Sequence, residues 1–129
     1  MIRSDVLKTL IPIISDQLVV SNIGLPSQEL HLLDDQPTNF YMLGTMGLSS
    51  SIGLGLALAQ KAKVIAIDGD GSVLTNFGTL PTIANNPADN FVISTMLGNF
   101  RFVCFCKRKC AQCGKNFSMN FGIICSCQK

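Results

Sequence analysis

The chain has 129 residues, 47% of them hydrophobic and 14% charged, with a formal net charge of +2. That is enough for one compact domain with a real core, not comfortably for two, and it argues against wholesale disorder. The first residues, Met1-Ile2-Arg3-Ser4-Asp5, lack the basic and apolar regions of a secretory signal. In chain order, Ser4 is placed to cap a first helix with Val6, Leu7, Leu10, Ile11 and Ile14 on one face. Pro12 predicts a kink or an early end to it. Leu18-Val19-Val20 reads as a short buried strand closing at Asn22-Ile23-Gly24. A second helix fits Ser27 to Leu33, just after Pro26. A polar loop follows from Asp34 to Asn39.

Phe40 to Leu43 reads as the second strand, leading into the turn Gly44-Thr45-Met46-Gly47. The uncharged run from Phe40 to Gln60 has the length of a membrane span. Its glycines and Ser49-Ser50-Ser51 dilute the apolarity, so a buried turn and helix over Leu48–Gln60 is the better reading. Small residues would let that helix lie close to a sheet. Lys63 to Ile67 is the clearest strand, short and β-branched. Asp68-Gly69-Asp70-Gly71-Ser72 is the turn after it. A helix within Val73–Ala84 and a fourth strand over Phe91–Met96 complete the pattern.

Strands alternating with helices predict an α/β fold, a parallel sheet with helices on both faces. Ligands in such sheets bind beyond the carboxyl ends of the strands. Three strands end in glycine turns, at Gly24, Gly44 and Gly69, so the pattern points to one site at one edge. The glycines of Gly69-Asp70-Gly71-Ser72 permit a tight turn and close approach to phosphate oxygens. Ser72 adds a hydroxyl and backbone N–H groups suited to a diphosphate. Asp70 offers a hard oxygen ligand for Mg²⁺. Alone, such a turn is an ordinary strand-to-helix connection.

About thirty residues further on, after another apolar strand, comes Asn99. The pair resembles the signature of thiamine-diphosphate-dependent enzymes. Asn22-Ile23-Gly24-Leu25-Pro26-Ser27, Asn39 to Gly44, Gly53 to Gln60 and Ile67 to Ser72 are similar to the sulfopyruvate and phosphonopyruvate decarboxylase group within that family. The likeness covers roughly residues 1–96. It implies the diphosphate-binding domain of the thiamine-diphosphate fold, incomplete at its C-terminus. It implies thiamine diphosphate and Mg²⁺ as cofactors, with Gly44, Thr45, Met46, Gly69, Asp70, Gly71 and Ser72 binding the former. Met46 would wedge between the cofactor rings, and Gly44 and Met46 backbone groups would contact the pyrimidine. Asp70, Asn99 and the Arg101 carbonyl would hold the metal. Against this, Met46 is also a plausible core gap-filler.

The group converts 2-oxoacids to aldehydes and CO₂; the sulfopyruvate enzymes act in coenzyme M biosynthesis. A pyrimidine-binding domain carries their activating Glu. This chain has one Glu, Glu29, without matching context. The resemblance is therefore to a cytoplasmic beta subunit inactive without an alpha partner, in a hetero-oligomer engaging neither membrane nor nucleic acid. His31, the only His, reads as a surface residue. Asn22 either faces the site or caps its turn.

Composition changes abruptly near residue 100. Residues 1–100 hold four basic and all eight acidic side chains; residues 101–129 hold six basic and no acidic ones. All six cysteines lie from Cys104 onward. These shifts divide the chain into a truncated domain, 1–99, and a Cys/Lys-rich divergent tail, 100–129. The tail reads best as a change of reading frame near residue 96, with no selected structure. Two alternatives stand beside the decarboxylase reading. One is a non-catalytic remnant of such a subunit; the other is a zinc-binding interaction protein using Cys110-Ala111-Gln112-Cys113.

Overall fold

The computed structural model describes residues 3–97 and 101–105. Helix α1 spans Arg3–Ile14. Leu7, Leu10 and Ile14 recur at helical spacing, and all are buried. Ser4 lies inside this helix rather than capping it. Pro12 does not end it: the residue sits in the last turn on the solvent side. There the one lost backbone bond, to the Lys8 carbonyl, is cheap to replace with water.

Strand β1 (Leu18–Ser21) leads through Gly24 into α2 (Leu25–Leu33). Gly24 has φ 84° and ψ −142°, backbone that suits glycine. Helix α2 starts two residues before the predicted Ser27, because Pro26 is tolerated in a first turn. Ser27 instead donates its buried hydroxyl to the Asn22 carbonyl at 2.6 Å, fastening α2 to the end of β1.

Strand β2 is short, Asn39–Tyr41. Leu43 lies beyond it and is 99% exposed, so the apolar run outlasts the strand. Helix α3 (Ser49–Ala59) and strand β3 (Val64–Gly69) fall where the sequence puts them, with β3 extended to take in Asp68 and Gly69. The single helix predicted over 73–84 is two, α4 (Asp70–Thr75) and α5 (Thr79–Asn85). Asn76 breaks the run with φ −133° and ψ 49°, its side chain drawn away to the Gly47 carbonyl. Strand β4 (Phe91–Leu97) and strand β5 (Arg101–Phe105) follow.

The sheet order is β2-β1-β3-β4-β5. The first four strands are mutually parallel, as the alternation predicts. β5 was not expected and runs antiparallel to β4, Leu97 pairing with Arg101. Three residues separate the two strands, too few for the crossover that a parallel pair needs. Its sequence, Arg-Phe-Val-Cys-Phe, is rich in aromatic and β-branched types that suit a strand.

Each sheet face carries its own core. Val20, Val64, Ala66 and Ile93 pack with Leu54 and Ala57 of α3 and Ile83 of α5. Val19, Ile65 and Ile67 pack with Leu7, Leu10 and Ile14 of α1 and Leu30 of α2. Helix α3 lies close to the sheet at Gly53, where a Cβ would stand 2.6 Å from the Phe91 ring. No helix among the described residues is long and apolar enough to cross a membrane.

Candidate functional site

From β1 the chain passes outward to β2, and from β3 it passes the other way to β4. The connections therefore diverge between β1 and β3, and the crevice above their carboxyl ends is the expected place for a ligand. Asn22, the turn 44–47 and the turn 69–72 all converge there. The ideal Cβ of Gly71 would lie 3.1 Å from Met46 Cε, and that of Gly69 3.9 Å from Asn22 Nδ2. Residues nearly fifty positions apart thus meet at the topological switch of the sheet.

The 44–47 turn is held in unusual backbone. Thr45 has φ 58° and Gly47 φ 95°. A β-branched residue at positive φ is a strained placement, and such placements gather at functional sites. The strain is upheld from outside: Asn76 Nδ2 donates to the Gly47 carbonyl at 2.9 Å. A Cβ on Gly47 would come within 2.6 Å of Thr75 Oγ1 and 3.0 Å of the Ser72 carbonyl. Only glycine lets the turn seat against α4. Met46 is 47% exposed rather than a core filler, so its side chain is available above Gly71.

Asp70 opens α4 and is exposed, with Oδ1 accepting the Gly71 N–H at 2.8 Å. Ser72, two residues on, is buried, and its hydroxyl donates to Asp68 Oδ1. That hydroxyl proton points into the protein, contrary to the expectation that it faces a ligand; the backbone is what Ser72 presents. Gly44 is exposed, with open space where a Cβ would be. Arg101 belongs to β5. Asn99 and the Cys110–Cys113 pair lie outside the described residues.

Asn22 is 4% exposed, and its Oδ1 has no hydrogen-bond partner among the described residues. A buried amide oxygen without a partner is costly, so its presence beside Gly69 marks a place built for a donor. The sequence left its role open; the structure turns it toward the crevice wall at β3. Among the described residues, no group of three or more His, Cys, Asp or Glu side chains gathers to hold a metal. Mg²⁺ sites do not require one, since phosphates and water supply most of their ligands.

His31 sits apart, on α2 beside edge strand β2. It is 60% exposed, pairs with Asp35 at 3.3 Å, and meets the Tyr41 ring edge-on at 5.5 Å. The hydrogen bond from Tyr41 and then that from His31 hold the Asp35 carboxyl below its usual range. Burial pushes the Tyr41 phenol up. The group reads as a surface brace between α2 and β2.

Glycine turns at the carboxyl ends of three neighbouring parallel strands, one of them Gly-Asp-Gly-Ser, make this an α/β domain whose ligand edge lies at the switch point of the sheet. Residues 25–104 match the family described as thiamine pyrophosphate enzyme, C-terminal TPP binding domain. The chain belongs to that family. Its relatives include the sulfopyruvate decarboxylase subunit beta of Methanococcus maripaludis, 55% identical over 91 residues, 70% of this chain and 49% of that protein. The subunit beta of Methanothermobacter thermautotrophicus is 47% identical over 91 residues, with the same coverage. A phosphonopyruvate decarboxylase of Streptomyces viridochromogenes is 46% identical over 77 residues, 60% of this chain and 19% of that protein. The matched stretch spans about half the length of the beta subunits.

Proposed function

We propose that this chain is the diphosphate-binding part of a two-subunit 2-oxoacid decarboxylase that converts sulfopyruvate to sulfoacetaldehyde and CO₂ on the route to coenzyme M. The observation that carries the proposal is the meeting of Met46 with Gly71 at the sheet's switch point. It joins the pyrimidine-type turn to the phosphate-type turn in one crevice. Identity of about half to the beta subunits of sulfopyruvate decarboxylases supports the substrate class.

In this reading thiamine diphosphate and Mg²⁺ occupy the crevice. Asp70 supplies a carboxylate to the metal, with Asn99 and the Arg101 carbonyl as the remaining protein ligands. Gly69, Gly71 and the Ser72 backbone line the diphosphate; Gly44, Thr45 and Met46 line the pyrimidine. The orphaned Asn22 Oδ1 and the bare glycine surfaces fit such a group, since they offer a polar acceptor and close backbone approach. When bound, the cofactor supplies the electron sink that lets CO₂ depart from the 2-oxoacid. This chain's residues bind and orient: Met46 sets ring geometry from its strained turn, and Asp70 neutralises metal charge. The activating carboxylic acid comes from an alpha subunit, because Glu29 lies on α2 and not among the turns. In this reading the working domain is residues 1–99 together with the paired strand β5, and the Cys/Lys-rich tail follows it.

The test is calorimetric titration of thiamine diphosphate with Mg²⁺ into the chain mixed with a sulfopyruvate decarboxylase alpha subunit, alongside Asp70→Ala. Saturable binding abolished by the substitution is the expected result. A folded protein that does not bind would leave a non-catalytic remnant as the reading.

A further inference from the structure

Asp68 is a buried carboxylate that the binding reading does not use. It is 1% exposed and stands one residue before the Gly-Asp-Gly turn. Its two oxygens are divided between two elements. Ser50 of α3 donates to Oδ2 at 2.5 Å, and Ser72 of α4 donates to Oδ1 at 2.5 Å. Ser50 lies three residues past Gly47, where the pyrimidine-type turn ends. Ser72 lies two residues past Asp70, inside the phosphate-type turn.

Burying a carboxylate between neutral hydroxyls is expensive compared with filling the same space with an apolar or amide side chain. The arrangement has a specific return. An ionised carboxylate is an acceptor at both oxygens, so it aligns two hydroxyls as donors at once. An amide accepts at its oxygen only, so the second hydroxyl would have to turn and accept from the amide N–H, and both bonds would then be to a neutral partner. Hydrogen bonds to a charged acceptor are also the stronger kind.

We infer that Asp68 is a positioning residue, a clamp that uses Ser50 and Ser72 to hold the turns 44–47 and 69–72 in register with each other. The serine run at the start of α3 is the counterpart of the clamp. Beside Ser50, Ser51 lies 2.9 Å from Thr79 Oγ1 and accepts from Asn76 at 3.3 Å. That outer tie joins α3 to the end of α4 and to α5, whereas Asp68 joins α3 to the start of α4. The clamp itself stands on geometry alone; its consequence for cofactor affinity rests on the binding reading above.

Amide hydrogen exchange on the full chain without cofactor tests the clamp directly, comparing Asp68→Asn, Ser50→Ala and Ser72→Ala with wild type. Loss of a bond to a charged acceptor should speed exchange about tenfold or more in 44–48 and 69–76 together for Asp68→Asn. Ser50→Ala should free mainly the first turn and Ser72→Ala mainly the second. Amides of α1 and α2, on the opposite sheet face, should stay within about twofold. Uniform acceleration throughout, or none in the turns, overturns the inference. Should Asp68→Asn not fold, the two serine variants decide it: if neither releases its own turn, there is no clamp.

The second arm titrates thiamine diphosphate with Mg²⁺ into each variant mixed with the alpha subunit, read also by the circular dichroism the bound cofactor gains. Weaker binding of Asp68→Asn by about tenfold, with an altered dichroism band, is expected if turn geometry sets affinity. Unchanged affinity and band would overturn the positioning role. Failure of wild type to bind would instead remove the cofactor reading, leaving the exchange result to judge the clamp.

Discussion

At the residue scale, one side chain of the site has no internal partner for its polar atom where it stands. That side chain is Asn22: a buried amide whose Oδ1 lacks a partner among the described residues costs stability in the ligand-free chain. Asn22→Leu should therefore leave that chain as stable as wild type, or more stable by up to about 2 kcal/mol, while weakening cofactor binding. Thermal melts and the calorimetric titration check the two halves. A large loss of stability would show instead that the amide serves an internal partner. Asn22, Asp68 and Asn76 were the residues the motif reading underused. Each acts through a contact with a segment distant in sequence, and no local pattern marks such a contact. The Ser49-Ser50-Ser51 run was visible, but only as polarity diluting an apolar stretch. Its meaning lies in what it faces.

At the scale of elements, the close seating of α3 on the sheet is the feature that brings Ser50 to Asp68. Gly53 sets it. A Cβ there would stand 2.6 Å from Phe91 Cε2 and 3.3 Å from Ala66 Cβ, both inside the core. Gly53→Ala should cost about 1–3 kcal/mol through overpacking, and Phe91→Leu in the same chain should recover part of it. Chemical denaturation of the two single variants and the double variant checks this. The α2–β2 brace gives a pH signature. Asp35 has its pKa lowered from 3.8, first by the Tyr41 hydrogen bond and then by His31. A depressed carboxyl stabilises the fold above its unfolded value and loses that contribution as pH falls from 3.8 through the folded value. Asp35→Asn should flatten stability across that acid window, its small loss being present at neutral pH and vanishing below the folded value. Melting curves across the window are the measurement; the effect is small because the group is exposed.

At the scale of the molecule, large apolar side chains flank the crevice in the open. Leu43 and Met46, beside and in the 44–47 turn, are 99% and 47% exposed, and Leu74 of α4 and Phe77 just after it are 72% and 55% exposed. Apolar surface gathered beside a site is expected at an interface. In the proposed assembly the alpha subunit covers it. Leu74→Asp should weaken association with that subunit by about tenfold or more while leaving the melting temperature of the isolated chain nearly unchanged. Analytical ultracentrifugation of the mixture distinguishes this from a surface with no partner.

Periodicity and turn chemistry by themselves determined that four strands alternate with helices, that the sheet is parallel there, and that glycine turns share one edge. Those features follow from local propensity and from a handedness rule that needs no coordinates. The resemblance carried by Gly69 to Ser72 and Gly44 to Gly47 was also legible, because both motifs are contiguous. Tertiary structure alone decided the rest. It split the helix after β3, since Asn76 bonds to Gly47 rather than to its own helix. It added β5 antiparallel, because a strand-forming segment three residues after β4 pairs only where β4 leaves a free edge. It turned the Ser72 hydroxyl inward to Asp68, and set Met46 over Gly71. The Asn76–Gly47 and Met46–Gly71 meetings join segments far apart in the chain, and distance in sequence carries no information about distance in space until the sheet has formed.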